Sequence, residues 1–286
     1  FHAFNPKCTL HPVICPAMEE YCNKWQLQIN TEKTKVMVLN KRDNYNKWFV
    51  YDKEIEMVSK FCYLGIELDN GGKFKPGINR LYNKACRAFI SLREKFNFYN
   101  GTPVRVMVNF FDSIIQPVLT YGCEIWGLYE WRKQTVQCIR NAILKKEIMA
   151  EKLHNRFCKQ VLGIDRQVPA TLAKAELGRY PVMGKIVQHC YTFWQHVLAS
   201  SPGSLTNYAL ITSVEMDRAG TTSYYTRIKN LLAVLNAKPA IYPKDAKSVK
   251  FVGKSILSKY KSMYEHFFLQ ILETKRQCPE SKGKYE

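Results

Sequence analysis

The spacing of hydrophobic residues changes near Gly77, and this change limits what each part of the chain can become. Before it, apolar runs are short and separated by turn-forming residues. Residues 36–39 are β-rich and end at the polar cluster 40–46. Residues 49–51 and 55–58 flank Asp52-Lys53, a pattern that predicts a tight hairpin. Residues 61–68 predict another strand, stopped by Asp69-Asn70-Gly71-Gly72. Ahead of these, Pro16 suits the first turn of a helix on which Met18, Tyr21, Cys22 and Trp25 share an apolar face. Residues 1–15, with Pro6 and Pro12, show no periodicity and are read as an irregular arm. The expected arrangement is a small antiparallel sheet under one helix.

After Gly77 the period becomes helical. Ile78, Leu81, Tyr82, Ala85, Phe89 and Leu92 recur at three and four, with Arg80, Lys84, Arg87 and Arg93 between them. A second helix is predicted from 103 to about 115, ahead of Pro117. A long lysine-rich helix is predicted over 135–162, with Gly163 as its C-cap. Residues 170–177, 181–199, 222–235 and 249–275 predict further helices between Pro, Gly and Ser clusters. There is no internal repeat or low-complexity tract. The fold class is therefore α+β, a small antiparallel sheet followed by a mainly α-helical region.

Composition narrows the partners. Lys and Arg total 43 against 24 acidic residues, a net charge of +19 in 286 residues. Such a surplus favours polyanions through counterion release, and an aromatic content of 13% supplies rings that can stack on bases. Nucleic acid is the first partner implied and an anionic membrane surface the second. No apolar run approaches the ~20 residues that span a bilayer, and no secretory leader is visible, so an intracellular protein, nuclear or cytoplasmic, is expected. The ten cysteines are scattered along a long chain and read as reduced core thiols rather than a disulfide framework. The chain starts at Phe1 rather than Met, which suggests a fragment of a longer product.

Several segments carry a family resemblance. Residues 20–39 read EYCNKWQLQINTEKTKVMVL and 49–68 read FVYDKEIEMVSKFCYLGIEL. Farther on come Phe110-Phe111-Asp112-Ser113-Ile114-Ile115-Gln116-Pro117-Val118-Leu119-Thr120-Tyr121-Gly122 with Glu124 and Trp126, then Glu151-Lys152-Leu153-His154, Arg156-Phe157-Cys158-Lys159, Leu162-Gly163 and Ala175-Glu176-Leu177-Gly178-Arg179-Tyr180-Pro181. In order and spacing these resemble the end of the palm, the thumb and the following region of non-LTR (LINE-type) retrotransposon reverse transcriptases, over roughly residues 19–194.

The resemblance implies an irregular arm over 1–15, a partial palm over 16–72, a thumb over 73–130 and an α-helical C-terminal region over 131–286, the role of 197–286 being left open. The parent activity would be RNA-directed DNA synthesis with Mg2+. The first aspartate here is Asp43, and the family's Tyr-x-Asp-Asp turn would fall at or before Phe1, so no complete catalytic set and no cofactor are expected within this chain. Lys35 falls where the family places a lysine near the nucleotide phosphates, Tyr63, Leu64 and Gly65 match its primer-gripping hairpin, and Arg80, Lys84, Arg87 and Arg93 lie where the thumb meets template and primer. The partner implied is an RNA or RNA–DNA duplex held without regard to sequence.

Each position also has a plainer reading. Lys33 and Lys35 could be edge lysines that discourage aggregation, Tyr63–Gly65 a simple turn, and the basic helix a solvated face. Phe111, Tyr121 and Trp126 read as core rather than stacking platforms. Cys8, His11, Cys15 and Cys22 lie close in sequence, but their spacing departs from familiar zinc knuckles. No nucleophile elbow or phosphate-cradling Gly-Lys-Ser/Thr loop occurs. Rival readings are a helical interaction scaffold, a transposon relic, or part of an active polymerase that continues upstream. An incomplete palm sheet would expose edges that favour self-association.

Overall fold

The computed structural model describes residues 14–39, 47–96, 101–129, 136–145, 148–237 and 246–277. The chain separates into two compact units, Phe1–Arg80 and Leu81–Glu286.

In the first unit, α1 (Ile14–Lys24) packs on β1 (Phe49–Val50), which pairs with β2 (Lys53–Glu54). The hairpin turn is Tyr51-Asp52, one position earlier than expected. Both residues have positive φ, 48° and 58°, as a type I′ turn requires. The Tyr51 N–H donates to Glu19 Oε1 of α1 at 2.8 Å, which fixes the turn there. β3 (Lys60–Tyr63) and β4 (Ile66–Asp69) form a second antiparallel hairpin, with Phe61 opposite Leu68. The stretch 61–68 thus folds back on itself instead of forming one strand. The expected single sheet is two separate hairpins. Residues 36–39 contribute only a parallel bridge from Val36 to Met57, because only Val36 exchanges backbone bonds with the 56–58 segment.

Cys22, Val50 and Ile55 are buried in this unit. The apolar face of α1 is otherwise open. Tyr21 and Trp25 sit side by side with rings 6.3 Å apart, and Trp25 is 60% exposed.

The second unit is helical. α2 (Lys75–Phe96) begins in the first unit and turns Leu81, Ala85 and Phe89 inward. α3 (Val104–Phe110) runs into a π-helical segment, Phe111–Ile115, and then α4 (Gln116–Leu119). Sequence periodicity ends this helix before Pro117. The chain instead passes the proline by widening, with the Gln116 N–H reaching Phe111 O, which relieves the clash a proline makes with the preceding turn. α5 (Cys123–Trp126) follows Gly122.

The predicted helix over 135–162 is broken into α6 (Val136–Lys145) and α7 (Met149–Val161), with Ile148 extended between them. Tertiary packing overrides the continuous pattern: α6 lies on α11 (Tyr224–Val234), whereas α7 lies on α8 (Ala170–Glu176) and α9 (Val182–Leu198). Gly163 caps α7 as expected, at φ 64°, with the Ile164 N–H donating to Lys159 O.

The principal helix pair is α9 against α12 (Ala246–Gln277). Glycines bring these helices close. A Cβ on Gly184 would lie 2.7 Å from the Tyr260 ring, and one on Gly253 would lie 2.5 Å from Thr192 Oγ1. Sequence periodicity does not predict α10 (Leu205–Arg218), which buries no residue fully and leaves Leu205, Tyr208 and Ile211 exposed. Among the described residues no helix is long and apolar enough to cross a membrane.

Candidate functional site

On α2 the cationic and apolar side chains separate by helical phase. Arg80, Lys84 and Arg87 are exposed at intervals of four and three, which stacks them in one stripe. Leu81, Ala85 and Phe89 follow each by one or two positions and form the buried side. The only acidic residue of α2, Glu94, lies beyond the stripe. Arg80 is the least independent of the three, since its guanidinium stands 3.9 Å from Glu67. Arg93 is half-buried and falls off the stripe, six positions past Arg87.

Lys35 and the Tyr63–Gly65 hairpin belong to the first unit. Lys35 is tied to Glu56 at 2.5 Å, so a phosphate there would have to compete with a carboxylate. Leu64 and Gly65, at φ 47° and 82°, form the two-residue tip between β3 and β4, with Leu64 72% exposed and Tyr63 also exposed. Cys8 and His11 lie outside the described residues; Cys22 is buried on α1. Among the described residues no group of three or more His, Cys, Asp or Glu side chains is placed to hold a metal ion. Phe111 and Trp126 are buried, whereas Tyr121 is 48% exposed and its carbonyl accepts from Trp126 Nε1. The thiols of Cys123, Cys158 and Cys190 are buried, and burial pushes that of Cys158 up to about 12.

A second charged grouping joins three segments that the sequence marks only as resemblance motifs, through Asp112, Glu151 with His154, and Arg179. Glu151 of α7 is buried and accepts three donors: Lys174 Nζ at 2.8 Å, the Val182 N–H at the start of α9 at 2.8 Å, and His154 Nδ1 at 3.3 Å. His154 Nε2 in turn accepts from Arg179 Nε at 2.8 Å, and the Arg179 guanidinium grips Asp112 on the π-helical segment with two bonds. Arg179 also lies over the rings of Phe111 and Phe157, 5.2 and 5.7 Å from their centroids.

Electrostatics in this cluster follow from geometry. Burial would raise the Glu151 pKa, but His154 and Lys174 outweigh it and hold the carboxyl down to about 2. Burial opposes charge on Lys174, yet the Glu151 carboxylate, together with Tyr264 and Cys158, outweighs it and raises its pKa. Burial, assisted by Arg179 and Lys174, depresses His154 despite the Glu151 carboxylate. An arginine N–H can only donate, so His154 Nε2 is a lone-pair acceptor and the ring is neutral with its proton on Nδ1. The result is a charge-balanced lock on α7, α8, α9 and the 111–115 segment. Sequence reasoning found the cationic helix but missed this lock, whose only signal was the juxtaposition of Glu151 and His154 at i, i+3.

Comparison with known proteins adds origin. Over 131 residues the chain is 30% identical to an uncharacterised transposon-derived protein of Caenorhabditis elegans, a stretch amounting to 45% of this chain and 46% of that protein. The likeness points to a transposon origin. The match spans less than half of that relative's length. No protein-family model matches the sequence, and no solved structure matches it.

Proposed function

We propose that the chain derives from a LINE-type reverse transcriptase and binds the backbone of an RNA or RNA–DNA duplex, without sequence preference, through the α2 stripe of a thumb-like helical unit. The observation that carries this reading is the exposed row Arg80, Lys84 and Arg87 set against the buried row Leu81, Ala85 and Phe89. Cations fixed on a rigid helix meet phosphates while the rest of the helix is held by core packing. The net charge of +19 and the likeness to a transposon-derived protein agree with it. The exposed Leu64-Gly65 tip, where glycine allows a sugar-phosphate to approach the backbone closely, supports a primer-grip role for the Tyr63–Gly65 hairpin. Lys35 is a weaker phosphate partner because of Glu56. No polymerisation step is assigned to these residues.

The test is fluorescence anisotropy of a labelled RNA–DNA hybrid with the unaltered chain and with Arg80→Glu/Lys84→Glu/Arg87→Glu. The reading expects binding that unlabelled hybrids of unrelated sequence compete for equally and that the variant loses. A folded variant that binds as well as the parent would show that α2 is not the binding surface.

A second reading, a helical scaffold without a nucleic-acid partner, is favoured by the buried lock, where Glu151, His154, Lys174 and Arg179 all serve packing. An unaltered chain that binds no nucleic acid would favour it.

A further inference from the structure

α7 repeats the construction of α2. Lys152, Arg156 and Lys159 recur at intervals of four and three, as Arg80, Lys84 and Arg87 do. Each cation on α7 is followed by a buried residue one or two positions on: Leu153, Phe157 and Val161, with His154 and Cys158 widening the inner side. Within the second unit the two inner rows meet, since the rings of Phe89 and Phe157 are 6.0 Å apart, edge to face. The cationic rows therefore lie on the sides of α2 and α7 turned away from that shared packing. Lys152 and Arg156 are exposed and Lys159 half-buried.

Two features separate this row from an ordinary solvated face. The only acidic residue of α7, Glu151, is turned inward and consumed by Lys174, His154 and Val182, so the outer face carries cations without internal neutralisation. Lys159 Nζ also donates to Arg166 O at 2.6 Å, which holds the exposed Arg166 beside the C-terminal end of the row. The neighbouring carboxylate, Asp165, accepts from the Gln167 N–H at 2.6 Å.

We infer that the outer face of α7, Lys152, Arg156 and Lys159 extended by Arg166, is a second binding surface for nucleic-acid phosphates, distinct from the α2 stripe. The inference rests on the nucleic-acid reading above and adds a second surface to it. Cations a helical turn apart match a chain of phosphates rather than a single anion, and phosphates recognised by charge alone carry no sequence information.

The experiment compares the slope of log K against log salt for a short labelled RNA–DNA hybrid. The proteins are the unaltered chain, Lys152→Gln/Arg156→Gln, and the charge-preserving Lys152→Arg/Arg156→Lys. Helicity and thermal midpoint are recorded for each. The neutralised pair should bind more weakly, with its slope reduced by about 0.9 for each phosphate it no longer neutralises, while the charge-preserving pair keeps the parental slope. A neutralised pair with parental slope overturns the α7 surface and leaves the α2 reading standing. So does a charge-preserving pair weakened as much as the neutralised one. If the unaltered chain binds no hybrid, both readings fall together.

Discussion

Arg179 Nε donates to His154 Nε2 at 2.8 Å, and this bond fixes the protonation of an imidazole that no solvent reaches. With Nε2 occupied as an acceptor, the ring proton must sit on Nδ1 and face Glu151. The imidazole thus passes order from an ion pair at the rim, Arg179 with Asp112, to one in the interior, Lys174 with Glu151.

Stability should fall in acid in two stages. His154 is depressed in the fold, so below the ordinary histidine value of 6.5 the unfolded chain binds a proton that the native state refuses. The unfolded state then binds more protons, and stability drops as pH falls, by up to about 1.4 kcal/mol per pH unit. Glu151, also depressed, adds a second decline between 4.5 and about 2. Denaturant midpoints across pH should show both, and His154→Asn should flatten the first stage. A curve unchanged between pH 7 and 5 in the unaltered chain would contradict the neutral-imidazole assignment.

Removing one member of the interior pair should cost more than removing both charges. Lys174→Met leaves a buried carboxylate without its cation, at a cost of about 3–5 kcal/mol. Adding Glu151→Gln keeps an acceptor for the Val182 N–H but no longer demands a cation, so the double variant should be more stable than Lys174→Met alone. A double-mutant cycle by chemical denaturation reads this directly.

The α9–α12 interface should not tolerate a methyl group. Gly184→Ala would ordinarily favour a helix, yet its Cβ would meet the Tyr260 ring at 2.7 Å. The clash should dominate, destabilising the fold by about 1–3 kcal/mol in thermal or denaturant unfolding. A gain in stability would mean that Tyr260 gives way freely.

Ser223 should stabilise the start of α11. Its hydroxyl accepts from the Thr226 N–H while the Thr226 hydroxyl accepts from the Ser223 N–H. Ser223→Ala should cost about 1 kcal/mol, measured by the same unfolding assay.

What could be read in advance was whatever depends on local period. The α2 face, the C-cap at Gly163 and the span of α9 follow from spacing and capping residues, which act within a turn or two of helix. What could not be read depends on distant partners. Nothing local separates α6 from α7, because their apolar positions stay in helical phase across 146–148. The parting comes from α11 on one side and α8 and α9 on the other. α10 escaped because it has no buried face to imprint a period. Trp25 and Tyr21 share a face that periodicity marks as core, and the structure leaves it open. The Glu151–His154–Arg179 lock ties α7 to α8, α9 and the 111–115 segment, so no local period could signal it.

The most direct test of nucleic-acid binding is the affinity of the unaltered chain for two RNA–DNA hybrids of unrelated sequence, measured across a salt series. Both should bind, with equal affinities and the same steep linear fall of log K with log salt, because lysines and arginines meet phosphates. Absence of binding, affinity indifferent to salt, or strong preference for one sequence would contradict it.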